Sequence, residues 1–290
     1  MSRAPFQPHR HLLRRAAAVA VAEVRARRHL EAAACVLHHG EPQHIERSVT
    51  SSYDAAAPEV SVAVSLYNYA PVVADTLRSI VASTGVSLEI IVVDDHSHDQ
   101  GLAVVAEFMS AHPQVPIVLL AKSANEGLEQ ARNTAFAAAR SEFVMVVDAD
   151  NLLQPEGLGV LLAAARANPL AAGAYGRLQE FGDANGQRSA APWNVDELCR
   201  RNYIDAQALV RRALWQRLGG YATYDDDVYG WEDWDLWLRI AADGGQMEFV
   251  DHVVGRYRVT GNSMLSLTNL AHDDSIEALR RRHPTLPWPA

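Results

Sequence analysis

The sequence predicts an α/β fold: a mostly parallel sheet flanked by helices. Two observations carry that prediction. From Val60 onward, short β-branched runs alternate with stretches of helical character, the order that builds a parallel sheet through right-handed crossovers. One of those runs, Phe143-Val144-Met145-Val146-Val147, is apolar at every position, as a strand covered on both faces must be. It stops abruptly at Asp148-Ala149-Asp150-Asn151, and the carboxyl end of such a strand is the rim where open α/β sheets bind ligands.

Taken in order, residues 10–39 are rich in Ala, Arg, Leu and Glu and read as an N-terminal helical extension, stopped by Gly40 and Pro42. Residues 41–58 carry Ser48, Ser51, Ser52 and Pro58 with little periodicity and read as a linker. Strands follow at 60–66, 89–93 and 117–120, and helices at 71–83, 99–111 and 128–139, leading into the strand that ends at Asp148. Beyond it the spacing predicts a helix over 155–167, a strand over 171–181, a turn at Asp183-Ala184-Asn185-Gly186 and a strand over 203–210. A short helix over 211–218 closes on Gly219-Gly220, a helix spans 231–242, and short strands lie at 247–250 and 255–259 before a basic tail. The expected organisation is an extension and linker over 1–57, one main domain over 58–266 and a tail over 267–290.

At 290 residues the chain is long enough to bury a full core. Its net charge of −9 argues against nucleic acid as a partner. The charge is uneven: residues 1–57 hold eight Arg against five acidic residues, leaving an acidic main body. Arg25, Arg27, Arg28 and His29 suit a solvated face better than an anionic membrane surface, which leaves peripheral contact with the inner membrane face as the alternative. Cys35 and Cys199 are the two cysteines, without metal-type spacing, and favour a reducing compartment. The apolar run at residues 16–22 is too short to span a bilayer and has the wrong flank for a signal peptide, so the expected location is cytoplasmic.

Three more rim positions carry polar clusters. The first strand ends in Ser65-Leu66-Tyr67-Asn68, where Tyr67 can stack on a base or serve as a turn tyrosine. The second ends in Asp94-Asp95-His96-Ser97-His98-Asp99, where a carboxylate can accept a hydrogen bond from a nucleobase ring N–H and Asp99 suits a helix cap. At the third, Asn125-Glu126-Gly127 opens a helix bearing Arg132-Asn133, within reach of a phosphate or ribose. Asp148 and Asp150, if extended, point to one side and offer two hard oxygen ligands to one divalent cation. Over the helix at 231–242, Glu232, Asp235 and Arg239 fall on one face and read as a surface ion-pair cluster. Asp233 lies beside Leu236, Trp237 and Ile240, where partial burial would raise its pKa towards that of a base for a hydroxyl.

Together with Arg211-Arg212, Gly219-Gly220-Tyr221 and Gly230-Trp231-Glu232-Asp233-Trp234-Asp235, these ordered motifs resemble the inverting family-2 glycosyltransferases of GT-A fold over residues 58–266. The resemblance implies that Ser65, Tyr67 and Asp95 hold the base and ribose of a nucleotide-diphospho-sugar. Asn68, Asn125, Gly127, Arg132 and Asp148 complete the donor side. It further implies Mn²⁺ or Mg²⁺ on Asp148 and Asp150, Asp233 as the general base, and Trp231, Glu232 and Gly220 on the side of the acceptor, whether glycan, lipid or small molecule. Where the family often has His in a Tyr-Arg-X-His-X-X-Ser segment, this chain has Thr260 within Tyr257-Arg258-Val259-Thr260-Gly261-Asn262-Ser263. That departure is the best support for the alternative reading, a catalytically silent nucleotide-sugar or carbohydrate-binding module, and retention of Asp95, Asp148, Asp150 and Asp233 argues against it. A nucleotidyltransferase would need a glycine- and basic-rich loop after the first strand, and Tyr67-Asn68-Tyr69-Ala70-Pro71 is not one.

Overall fold

The computed structural model describes residues 44–222, 230–260 and 272–289. The helical extension expected over 10–39, Cys35, Asp225-Asp226-Asp227 and Gly261-Asn262-Ser263 lie outside the described residues.

The chain runs β1 (Ile45–Val49), β2 (Val60–Leu66), α1 (Val73–Val81), β3 (Leu88–Asp94), α2 (Gly101–Ala111), β4 (Ile117–Lys122), α3 (Leu128–Ala138) and β5 (Phe143–Val146). It continues through β6 (Leu152–Leu153), α4 (Gly157–Ala167), β7 (Gly173–Gly182), β8 (Gln187–Arg188), α5 (Val195–Leu198), β9 (Leu209–Arg211) and α6 (Arg212–Arg217). The last elements are α7 (Glu232–Ala242), β10 (Met247–Val259) and α8 (His272–Arg282). The sheet order is β1-β4-β3-β2-β5-β9-β7-β10-β6, with β8 paired to β7. Strands β4, β3, β2 and β5 are mutually parallel, as are β7 and β10.

Strand β2 shows how the sequence makes two layers. Val60, Val62, Val64 and Leu66 join one core with Leu77 and Ile80 of α1 and Leu158, Leu161 and Leu162 of α4. The alternate residue Ala63 faces the other core, with Ala131, Ala135 and Phe136 of α3. The same layer takes in α7, whose Trp234, Leu236, Trp237, Leu238 and Ile240 are all buried. Its two buried indoles need partners: Trp234 Nε1 donates to Leu198 O (2.8 Å) and Trp237 Nε1 to Ile204 O (3.0 Å).

Three elements differ from expectation. Within the segment read as a linker, β1 pairs antiparallel with β4. Thr50 then docks on the sheet, its Oγ1 donating to Val115 O at 2.7 Å while its N–H donates to Ile117 O. The two short strands expected at 247–250 and 255–259 are one strand, β10, whose register against β7 shifts between Val250 and Gly255. The strand expected over 203–210 shrinks to β9, and the residues before it form a loop. The segment expected as a tail contributes Ala278, Leu279 and Leu286 to the same core as α7. Among the described residues no helix is long and apolar enough to cross a membrane.

Candidate active site

Along the carboxyl rim the polar clusters at the ends of β2 and β3 are stitched together. The Asn68 N–H donates to Ser97 Oγ (3.0 Å), the His98 N–H to Asn68 Oδ1 (2.8 Å), and the Ala70 and Gly101 N–H groups to the two oxygens of Asp99 (2.8 Å each). Asn68 and His96 accept positive φ (61° and 64°) to make these turns. Tyr67 is half-buried, edge-on to the His98 ring at 6.2 Å, and Ser65 Oγ is buried with no partner among the described residues.

Asp95 is more occupied than its sequence context suggests. Its Oδ1 accepts from Lys122 Nζ and from the Glu126 N–H, both at 3.0 Å, and Oδ2 accepts from the Gly127 N–H at 2.8 Å. Gly127, at φ 100°, turns the chain into α3 in a conformation only glycine takes readily. The aspartate therefore ties the third rim to the second. Beside it, Asn125 is buried with its Oδ1 unpartnered among the described residues.

The Asp148 to Asn151 segment is a turn and not the extended stretch expected, closed by the Asn151 N–H on Asp148 O (3.0 Å). The two carboxylates still sense each other. Burial and then the negative charge of Asp148 push the Asp150 carboxyl up to about 7. Arg258 supports the turn from β10, its N–H donating to Asn151 Oδ1 (2.9 Å) and its Nε to Asp150 O (3.0 Å). Thr260, in place of the family's His, is exposed.

Arg132 borders the cavity described below, but its guanidinium is taken up by protein carboxylates. It is buried, with Nη2 on Asp148 Oδ1 (2.9 Å) and Nη1 on Glu232 Oε1, and so bridges the rim of β5 to the start of α7. This corrects the expected surface ion-pair cluster on α7, because Glu232 and Asp235 are both buried. Asp235 accepts from Arg239 Nε (2.7 Å) on one oxygen and meets His283 Nε2 (2.9 Å) on the other. A second layer, folded over α7 from beyond residue 272, turns a face that reads as amphipathic into an interior one.

Asp233 lies between these groups. Only 9% of it is exposed, and Asn202 Nδ2 donates to both of its oxygens at 3.1 Å. Burial first, and then the neighbouring Glu232 charge, push its carboxyl up to about 8 against the opposing pull of Arg132 and Asn202. Burial raises Glu232 as well, outweighing Arg132.

A cavity of about 570 Å³ joins Arg132, Asp148, Trp231, Glu232 and Asp233. Ser65, Tyr67, Asn68, Asp95, Asn125 and Gly127 stand on the adjoining rim outside its lining. Gly220 lies apart from it: at φ 81° it ends α6, and an added Cβ would meet Asn133 Oδ1 at 2.8 Å, so its role there is backbone geometry. The cavity is also lined by Tyr257, which opens the segment corresponding to the family's Tyr-Arg-X-His-X-X-Ser, and by residues the sequence reading missed, among them Asp205, Asn202 and Tyr203. Burial and Asp148 push the Asp205 carboxyl up to about 6. A lone aspartate inside an expected strand gave no signal of this.

Asp148 and Asp150 suit a divalent cation in chemistry. They offer hard oxygens, and their mutual repulsion is what a cation would relieve. Among the described residues no third His, Cys, Asp or Glu joins them as a ligand set, so phosphate and water oxygens would have to complete the shell, as is usual for magnesium.

A family model described as "Glycosyl transferase family 2" matches residues 61–229. The succinoglycan biosynthesis protein ExoO of Rhizobium meliloti is 37% identical over 101 residues, 35% of this chain and 28% of that protein. The chain spans about a quarter of the length of two curated relatives that it matches. Among solved structures, TarS of S. aureus with UDP superposes with a TM-score of 0.59 at 18% identity, covering 74% of this chain and 65% of that one. Mannosyltransferase PcManGT from Pyrobaculum calidifontis, in complex with GDP-Man and Mn2+, gives 0.58 at 22% identity, covering 94% and 84%. These two structures agree with this chain in fold.

Proposed function

The chain belongs to glycosyl transferase family 2, and from that premise we propose that it is a divalent-metal-dependent, inverting glycosyltransferase, moving a sugar from a nucleotide-diphospho-sugar to an acceptor hydroxyl. The observation that carries the reading is the state of Asp233: a buried carboxyl facing a cavity that also holds Asp148, its pKa pushed up to about 8. A general base for a hydroxyl works best with a pKa near the working pH.

In this reading the nucleotide lies along the rim of Ser65, Tyr67, Asn68, Asp95, Asn125 and Gly127. Its diphosphate meets Asp148 and Asp150, which would hold Mg²⁺ or Mn²⁺. A cation bound there supplies positive charge against the leaving diphosphate. Asp233 accepts the proton of the acceptor hydroxyl as that oxygen attacks the anomeric carbon from the face opposite the diphosphate, which inverts the configuration. Asn202 holds both oxygens of Asp233 and so fixes the direction of the lone pair that takes the proton. Arg132 acts through others, keeping Asp148 and Glu232 at a set separation while spreading its charge between them.

The test is release of nucleoside diphosphate from a panel of UDP- and GDP-sugars with Mn²⁺ present, for the wild type and for Asp233→Asn. Turnover in the wild type with loss in the variant supports the transferase. Full transfer by Asp233→Asn removes Asp233 as base, and binding of nucleotide sugars without any turnover favours the silent binding module.

A further inference from the structure

We propose that Asp205 reads the transferred sugar, its free carboxylate oxygen accepting a hydrogen bond from a ring hydroxyl, and that this restricts the donor to neutral, hydroxyl-rich sugars. The inference rests on the glycosyltransferase reading above and adds a substrate class to it.

The cavity carries the argument. Asp205 lines it together with Asp148 and Asp233, close enough for its charge to act on Asp233 and for that of Asp148 to act on it. A sugar whose diphosphate meets Asp148 and whose reacting carbon faces Asp233 occupies the cavity that Asp205 also lines. Tyr203, Tyr257 and Trp231 supply apolar ring surface to the same cavity, suited to the C–H faces of a pyranose.

The carboxylate is held in place and only half used. Its backbone N–H donates to Ser189 Oγ (2.9 Å), and Ser189 is itself buried at φ 52°. Its Oδ1 accepts from the Gln207 N–H (3.0 Å). Gln207 is pinned in turn by its Nε2 on Leu152 O (3.1 Å) and lies where a Cβ on Gly255 would meet it at 2.1 Å. Asp205 Oδ2 has no hydrogen-bond partner among the described residues. The cations nearby are engaged elsewhere: Arg188 Nε holds Glu180 Oε1 (2.8 Å) with its guanidinium over the Tyr257 ring (3.9 Å), and Arg132 is held by Asp148 and Glu232. An ionised carboxylate accepts and does not donate, so it selects hydroxyls and repels a second carboxylate such as that of a uronic acid.

The experiment is calorimetric titration of the full chain with Mn²⁺ present, using UDP, UDP-glucose, UDP-N-acetylglucosamine, UDP-glucuronate, GDP and GDP-mannose. Expected for Asp205→Asn is a loss of about tenfold or more in affinity for the preferred nucleotide sugar, the scale of a hydrogen bond to a charged group, with the nucleoside diphosphate alone unaffected. The wild type should bind UDP-glucuronate less tightly than UDP-glucose, and the variant should narrow that gap. Asparagine keeps a carbonyl for the Gln207 N–H; Asp205→Glu, which keeps the charge but displaces it, should show the same selective loss. In the wild type, deoxygenating one ring position of the preferred sugar should cost a similar factor, a readout independent of whether the variants fold. Equal losses for nucleotide sugar and nucleoside diphosphate would place Asp205 on the diphosphate and overturn the inference. No loss for either, or wild-type indifference to every deoxygenation, overturns it too. A wild-type chain that binds no nucleoside diphosphate refutes the donor reading itself.

Discussion

The two ends of the sheet bury carboxylates in opposite ways. At the amino end of β3, Glu89 is fully buried and fully answered: Ser61 Oγ donates to Oε1 (2.6 Å), the Arg140 N–H to the same oxygen (2.9 Å) and Arg140 Nε to Oε2 (2.7 Å). At the carboxyl end, Asp94 Oδ1 and Glu232 Oε2 are buried without a partner among the described residues, and Asp150, Asp205 and Asp233 sit at raised pKa values. Burial of a charge without compensation is costly, and a fold tolerates it where something else is to be bound. Glu89 holds the fold together. The rim carboxylates cost the fold stability and supply unmet chemistry.

The largest expected effect is on rate. Asp233→Asn should lower transfer by roughly 10² to 10⁴, the range that general-base catalysis contributes. In the wild type kcat/KM should climb as pH rises to about 8, because the base must lose its proton, and this limb should vanish in the variant. A limb unchanged in Asp233→Asn would assign it to another carboxylate and end the role given to Asp233.

Next in size is Glu89→Ala, which strips the partner from Arg140 and Ser61. Breaking a buried pair this way costs about 3 kcal/mol of unfolding free energy, at the low end of its usual range because Arg140 is 32% exposed. Urea denaturation measures it, and turnover per folded molecule should be unaffected. A catalytic defect without a stability loss would erase the contrast between the two ends.

A further effect concerns pH and metal together. Asp150 and Asp233 have folded-state pKa values raised above their unfolded ones, so the native state binds more protons across the window from about 4 to about 8. The stability they contribute is present in acid and lost as pH rises through that window. Thermal unfolding should therefore show a melting temperature that falls from pH 5 to pH 8, with added Mn²⁺ recovering part of the loss at the upper end. No recovery would argue against a cation on Asp148 and Asp150.

The same contrast explains what the sequence revealed. Strands β2, β3 and β5 and their rim motifs were legible because doubly covered strands must be apolar, so the polar residues that end them stand out. Strand β1 was not, because all five of its residues are exposed at a sheet edge and Ile-Glu-Arg-Ser-Val need not alternate. Strand β10 looked like two strands because its register shifts interrupt the pattern at Asp251-His252. Asp205 was invisible because its placement depends on Ser189 and Gln207, and Arg132 was read as free to reach a ligand because Glu232, its partner, lies 100 residues away.

Asp235 provides the last test, since it is a buried rim-side carboxylate that behaves like Glu89. Helical spacing alone gives it a surface contact with Arg239, worth about 0.3 to 0.5 kcal/mol. In the fold it has no exposure, and it joins three segments: Arg239, which also donates Nη1 to Leu218 O at the end of α6 (2.8 Å), α7 itself, and His283 after α8, whose carbonyl accepts from Trp288 Nε1 (2.7 Å). Asp235→Asn replaces an acceptor by an amide whose N–H₂ faces one of two donors, so it should cost about 2 kcal/mol, well above the surface figure. It should also release the C-terminal segment to proteolysis sooner than the rest of the chain. Transfer per folded molecule should stay within a few-fold of wild type, because Asp235 is directed away from the cavity that Asp233 lines. If urea midpoints do not move, the His283 contact carries no stability. If instead stability holds and transfer collapses, Asp235 belongs with the uncompensated carboxylates, and the boundary between holding the fold and serving the reaction runs through α7 at a different place from the one drawn here.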